Sequence, residues 1–258
     1  TPNPGWTFLR WLGDATGTNA NINVTMSRSK AAQAIFGTTL NTTAAGGGSV
    51  ILNPPGGVYP FGSVVQLSAI PTAGNYFGIW GNAASGNINP LFFTLTNANP
   101  TVSSLFAPVS GGQVGFTVVS VGRGTITVTP RANVYAAGTG VSVTAVPEAG
   151  QTFLGWTGDA NGSANPLGLT LNSSMLIYAN FTKRPWLFAA APFGSLSKEG
   201  MQLTVTGAAG EIYQIESSSN CVDWVGVVLA TNIAGSATFT DTGGTNATHR
   251  FYRAVTVP

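Results

Sequence analysis

The 258-residue chain carries little charge: Asp, Glu, Lys and Arg make up 7% of it, against about a quarter of an ordinary soluble domain. Ten basic and eight acidic residues are scattered, with never more than two adjacent, and sum to +2. No basic stripe exists to neutralise a run of phosphates, which excludes nucleic acid as a partner. The single cysteine, Cys221, excludes an internal disulfide framework and a Cys-based zinc site. A lone apolar-sized residue of this kind is expected in the core. No apolar run approaches the roughly 18 residues of a spanning helix. The most apolar stretch, PWLFAAAPF at 185–193, is short and broken by Pro192. A helical period is missing throughout. The chain opens at Thr1 without an initiator Met or a basic-then-apolar leader, and reads as a processed chain or a piece of a longer one.

What is present is apolar and turn-rich, with 43% hydrophobic residues and 34 glycines. Polar surface must then come from Thr, Ser, Asn and backbone, which suits an extended, secreted extracellular β protein. The length suits two to four modules of about 60 to 80 residues. Self-similarity supports this division. Trp11, Trp80 and Trp156 each have a Pro nine residues before (Pro2, Pro71, Pro147), a Gly six before (Gly5, Gly74, Gly150) and a Phe three before (Phe8, Phe77, Phe153). Each is followed by a Gly at six (Gly17, Gly86, Gly162), an apolar residue at fifteen (Met26, Leu95, Leu171) and a closing Phe at 25 or 26 (Phe36, Phe106, Phe181).

The second and third copies share an upstream half, GGGSVILNPPGGVYPFGSVVQLSAIP at 46–71 and GRGTITVTPRANVYAAGTGVSVTAVP at 122–147. Val, Ile and Leu alternate there with Ser and Thr between Gly and Pro clusters, the pattern of half-buried strands. The third module is expected to hold strands at 114–121, 124–129, 140–146, 151–157, 167–172 and 175–182. These residues resemble the bacterial B-repeat modules related to the internalin B repeats. The resemblance lies in G-x-V-x-L-x-P, the Val58-Tyr59 and Val134-Tyr135 turns, A-x-P-x-x-G-x-x-F-x-x-W and G-D-A-x-G, over residues 1–183. It implies small all-β modules strung along secreted and cell-surface bacterial proteins as spacers, stalks or self-associating units, with no catalytic residues.

The fold expected is therefore all-β: tandem small β-sheet modules followed by a β-sandwich-like C-terminal module. The boundaries are 1–37 for half a repeat, 38–107 and 108–183 for whole ones, and 184–258 for the last module. That last part resembles the small C-terminal β modules that end large secreted bacterial proteins, on Gly210, Tyr213, Ile215, Glu216, Ser218, Trp224, Asp241 and Arg250–Ala254. Tyr213, Ile215 and Phe251 are its expected core.

Candidate sites are few. His249 beside Arg250, with Asp241 eight residues earlier, lacks a serine in a nucleophile elbow. Glu211 and Glu216, five apart, fall on opposite faces of a strand, which spoils a carboxylate pair. Asp14 and Asp159 follow Gly in a loop where a carboxylate can accept from an N–H two residues on. The second copy reads WGNAASG and has no acid there. No enzyme activity, metal or cofactor is expected. Phe8, Trp11, Gly17, Phe77, Trp80, Gly86, Phe153, Trp156 and Gly162 are read as structural repeat positions. The F-x-x-W spacing places its two aromatics on opposite strand faces. Pro2, Gly5, Phe8 and Trp11 form the candidate assembly surface, because half a module leaves strand edges and aromatics bare. The function expected is a subunit of a bacterial surface fibre or stalk, built head to tail from copies of itself by strand addition. The alternative is an adhesin or carbohydrate-binding region, with glycans as partner.

Overall fold

The computed structural model describes residues 1–15, 17–189, 200–207, 211–232, 236–243 and 249–257, almost entirely as strands and turns. Gly210 and the 190–193 end of the apolar stretch lie outside the described residues. The chain divides into two units.

The first unit comprises residues 1–39, 57–63 and 184–258. Strands β1 (Thr7–Gly13) and β2 (Ala32–Thr39) pair antiparallel from Thr7↔Gly37 to Gly13↔Ala32. The short β5 (Val58–Pro60) joins the far end of β2. The C-terminal part of this unit forms two three-stranded sheets. One is ordered β17 (Trp186–Ala189), β18 (Met201–Thr206), β21 (Ser236–Asp241). The other is ordered β20 (Val225–Thr231), β19 (Ile212–Ser218), β22 (Phe251–Thr256). Val205, Tyr213, Ile215 and Ala230 form the core, with residues of both sheets packed against it. Tyr213 and Ile215 are buried as the alternation predicts, but Phe251 is 44% exposed. It pairs with Ser218 on the outward parity of β22, while Tyr252 and Ala254 turn inward. Arg10 of β1 donates to the Ser236 carbonyl (2.9 Å) and hydroxyl (2.8 Å) on β21.

The second unit comprises residues 40–56 and 64–183. Its earlier part has one sheet ordered β3 (Asn41–Ala45), β9 (Thr101–Pro108), β7 (Asn75–Asn82). A second is ordered β4 (Gly48–Asn53), β6 (Val64–Pro71), β8 (Leu91–Thr94). The later part repeats the plan. β10 (Gln113–Val121) lies between β12 (Val134–Ala136) and β16 (Met175–Phe181), and β14 (Phe153–Gly158) completes that sheet. β11 (Gly124–Thr129), β13 (Thr139–Pro147) and β15 (Leu167–Leu171) make the other. First and last strands pair in parallel, β3 with β9 and β10 with β16. Inward residues at period two from both sheets, among them Val141, Val143, Ile177 and Phe181, fill one core. Each such side chain contributes about 1.5–3 kcal/mol by its burial. The closing Phe explains a glycine: a Cβ on Gly124 would sit 2.5 Å from the Phe181 ring, and one on Gly48 equally close to Phe106.

Candidate functional site

The repeated loop begins at its Trp. The main-chain N–H of Trp11, Trp80 and Trp156 donates to the carbonyl of Gly17, Gly86 and Gly162, at 2.9, 2.8 and 2.7 Å. Each indole N–H donates two residues further on, to Asn19 (3.0 Å), Ile88 (2.7 Å) and Ala164 (2.7 Å). The loop glycines have φ of 110°, 84° and 125°, a conformation that side chains disfavour, which is why Gly recurs there. The Trp thus closes its own loop through two hydrogen bonds. Trp80 and Trp156 are each only 2% exposed and offer no free face for a sugar ring to stack on.

Phe and Trp do not lie on opposite faces. A β-bulge falls between Phe8 and Arg10, between Phe77 and Ile79, and between Phe153 and Gly155. One extra residue converts the odd spacing to an even one, so both rings reach the same side. Phe8–Trp11, Phe77–Trp80 and Phe153–Trp156 centroids are 5.3, 4.6 and 5.0 Å apart. The closing Phe36, Phe106 and Phe181 stand 5.9, 5.9 and 5.7 Å from the same Phe rings.

The loop acid holds a strand, not a local turn. Asp159 accepts from the Leu176 N–H (2.7 Å), and Asp14 from the Ala31 N–H (2.8 Å), each seventeen residues on rather than two. In both, the Asp main-chain N–H also donates to the same residue's carbonyl. The loop therefore folds back onto the start of the closing strand. The Ala31 N–H and then Arg28 hold the Asp14 carboxyl below its ordinary value. The second module closes the same corner with the Ala83 N–H donating to Thr101 at 3.0 Å and no carboxylate. Asp159→Ala is accordingly expected to cost the third module only about 1 kcal/mol, read as a small fall in urea midpoint with the spectrum of the folded protein unchanged.

A polar group that the repeat alignment passes over does more. Asn165 Oδ1 accepts from the Ala145 N–H (2.9 Å) while Nδ2 donates to the Ala145 carbonyl (2.8 Å). Asn89 grips Ala69 in the same way, at 2.9 and 2.8 Å. Both stand nine residues after the Trp and directly before a Pro, and that shared Asn-Pro was a readable signal. The first copy has Ala20 there.

The first copy is open. Pro2 and Gly5 are exposed, with Gly5 accepting from the Thr38 hydroxyl at 2.9 Å. Phe8, Trp11 and Phe36 are half-buried, unlike Phe77, Trp80 and Phe106. Met26 is 70% exposed, whereas Leu95 and Leu171 at its position are fully buried.

The remaining candidates are occupied structurally. Asp241 is paired with Arg250 Nε (2.7 Å) and accepts from the Tyr252 hydroxyl (2.9 Å), while His249 is exposed. Burial, with Asp241 adding to it, pushes the Tyr252 hydroxyl up to about 12. Glu211 accepts from Tyr213 (2.7 Å), and Glu216 from Arg253 (2.6 Å), whose guanidinium lies over Trp224. Cys221 is exposed, not in the core. It occupies a tight turn at φ 61°, its N–H held by Ser218 Oγ, and the following strand starts only at Val225.

These arrangements define a tandem-repeat β scaffold whose recurring polar groups hold loops and strand ends to one another. The chain belongs to the divergent InlB B-repeat domain family, whose profile matches residues 1–38, 38–110 and 114–185. The first match is about half as long as the others. No curated protein and no solved structure matches the chain. Modules of this family are typical of bacterial surface proteins, and three in tandem suggest an extracellular one. Among the described residues no helix is long and apolar enough to cross a membrane.

Proposed function

We propose that the chain is a structural subunit of a bacterial surface fibre or stalk, without catalytic activity, that assembles head to tail by completing its first module with strands of a neighbouring copy. The observation that carries this reading is the exposure of Met26 at a position where both complete modules bury a leucine. An aromatic cluster left half-covered on the same module adds apolar surface that association would remove from water. Scarce charge supports it as well, since residues 31–122 contain no Asp, Glu, Lys or Arg and copies can approach with little repulsion. Within the second unit, Asn133 donates to the Asn87 carbonyl (2.8 Å), a direct link between successive modules that suits a stalk. Against catalysis, Asp14, Asp159 and Asp241 are each committed to a backbone N–H or an ion pair.

Electron microscopy and light scattering of the purified chain at rising concentration test the reading. Filaments of uniform width are expected. Monodisperse monomers at every concentration, with rapid amide exchange over residues 22–26, would refute it.

A further inference from the structure

We infer that the outer face of the β4–β6–β8 sheet is a lateral contact at which two copies of the chain meet through the same surface. Its role rests on the fibre or stalk reading, in which copies stand side by side, but the pairing joins flanks and not ends. Alternation along β6 turns Val65, Leu67 and Ala69 into the core and Val64, Gln66 and Ser68 outward. In register with these, Ile51 stands opposite Ser68, while Asn53 and Phe92 flank Gln66. Ile51 is 50%, Val64 54% and Phe92 47% exposed. Each of the three strands thus contributes one large apolar side chain around Gln66.

The third module supplies the comparison. The same positions of β11, β13 and β15, 76 residues on, hold Thr127, Gly140 and Gly168, all exposed. The fold therefore does not require apolar residues on this face, and only the second module has them. They also change the centre of the sheet. Gln66 and Ser68 are 5% and 3% exposed, whereas their counterparts Ser142 and Thr144 are only half-buried. A surface laid over the second module's face removes apolar area from water while desolvating little more of the two polar side chains at its centre. Over the third module's face it would strip water from threonine hydroxyls instead.

Charge names the occupant. Residues 31–122 contain no Asp, Glu, Lys, Arg or His. A charged partner would lose hydration against this face and gain no counter-charge. The same face of a second copy is neutral, apolar and shielded at its centre in the same way, and neighbouring stalks supply it at high local concentration. Identical patches form an isologous contact about a two-fold axis, which closes as a pair. Three strands about 4.8 Å apart and about six residues long make a face of roughly 300 Å². That is well below the ~800 Å² per partner of a stable free complex. The contact is therefore weak between free chains and effective between aligned ones.

NMR spectra of the full chain in a Cys221→Ser background, taken from micromolar to millimolar concentration, test the pairing. Concentration-dependent shifts are expected at Ile51, Val64, Gln66 and Phe92 and not at Thr127, Gly140 or Gly168. Fibre growth, by contrast, broadens all signals alike. The Ile51→Thr/Phe92→Thr variant keeps strand-forming residues on the solvent side and is expected to weaken pairing about tenfold or more with an unchanged melting temperature. Val64→Thr is the second variant should that one not fold. An isologous pair loses both faces at once, so wild-type chains should pair with variant chains at intermediate strength. Full-strength pairing in that mixture would mean that the face meets a different surface and would overturn the inference. Spectra independent of concentration would overturn it too, as would face shifts that appear only with phosphatidylcholine vesicles. In the electron microscope wild-type fibres are expected in pairs and variant fibres singly. Single fibres of both would reject the lateral contact and leave the head-to-tail reading standing; face shifts without any fibres would do the reverse.

Discussion

Trp80→Ala is expected to destabilise the second module by about 3–5 kcal/mol, while Trp11→Ala costs the half module about 1–2 kcal/mol. The two residues have the same place in the repeat and the same two loop hydrogen bonds. They differ in what surrounds the ring. Trp80 is 2% exposed and meets Phe77 at 4.6 Å, so truncation leaves a cavity that the surrounding side chains can only partly close. Trp11 is half-exposed, and its removal returns less apolar surface to water. Trp80→Phe separates packing from hydrogen bonding: it keeps most of the volume but strands the Ile88 carbonyl, for about 1–3 kcal/mol. Residue-resolved hydrogen exchange is the suitable measurement, with the third module as internal reference. Protection should fall over 75–108 in Trp80→Ala and hold over 153–181. Equal losses for Trp11→Ala and Trp80→Ala would mean that the half module is as well covered as a whole one.

That contrast is also where sequence reading was strongest. The spacing of Phe, Trp, Gly and closing Phe marks the repeat because period and turn chemistry are local, written within thirty residues. Strands β10, β11, β13 and β16 fall close to their expected places for the same reason. Parity across the F-x-x-W is not legible in one strand because a bulge is a property of two paired strands, and the partner of Phe8 lies 28 residues away at Phe36. Local turn chemistry gives the carboxylate of Asp159 a neighbour two residues on, whereas its partner Leu176 arrives only when β16 docks on β14. Cys221 is expected in the core on residue type, and Phe251 on the alternation of its strand. A turn at positive φ in one case, and a register that faces the ring outward in the other, overrode that preference. The Asn clamp is not legible from the recurring Asn-Pro, because nothing in one strand says where its neighbour stops short.

Asn165→Ala makes that last point measurable. β15 pairs with β13 from Leu171↔Thr139 to Leu167↔Val143, and there its backbone ends. Two residues further along β13, Ala145 is 2% exposed and needs partners for its N–H and carbonyl on that side. The Asn165 amide supplies both and so extends the ladder by one rung with a side chain. Truncation leaves two buried main-chain groups unpaired, at about 1–3 kcal/mol each, seen as lost exchange protection over 139–147. Asn165→Asp probes the two bonds separately. A carboxylate still accepts from the Ala145 N–H but sets its second oxygen against the Ala145 carbonyl, so the charged form is disfavoured and the introduced carboxyl titrates above its ordinary value. Stability of Asn165→Asp should be highest in acid, where the protonated oxygen can donate to that carbonyl, and fall as pH rises through the raised pKa. A pH-independent Asn165→Asp would show that the donor half of the clamp carries no weight. Ala20→Asn supplies the complementary case: among the described residues no strand lies in register for the amide to grip in the first copy, so the isolated chain should shift by no more than about 0.5 kcal/mol.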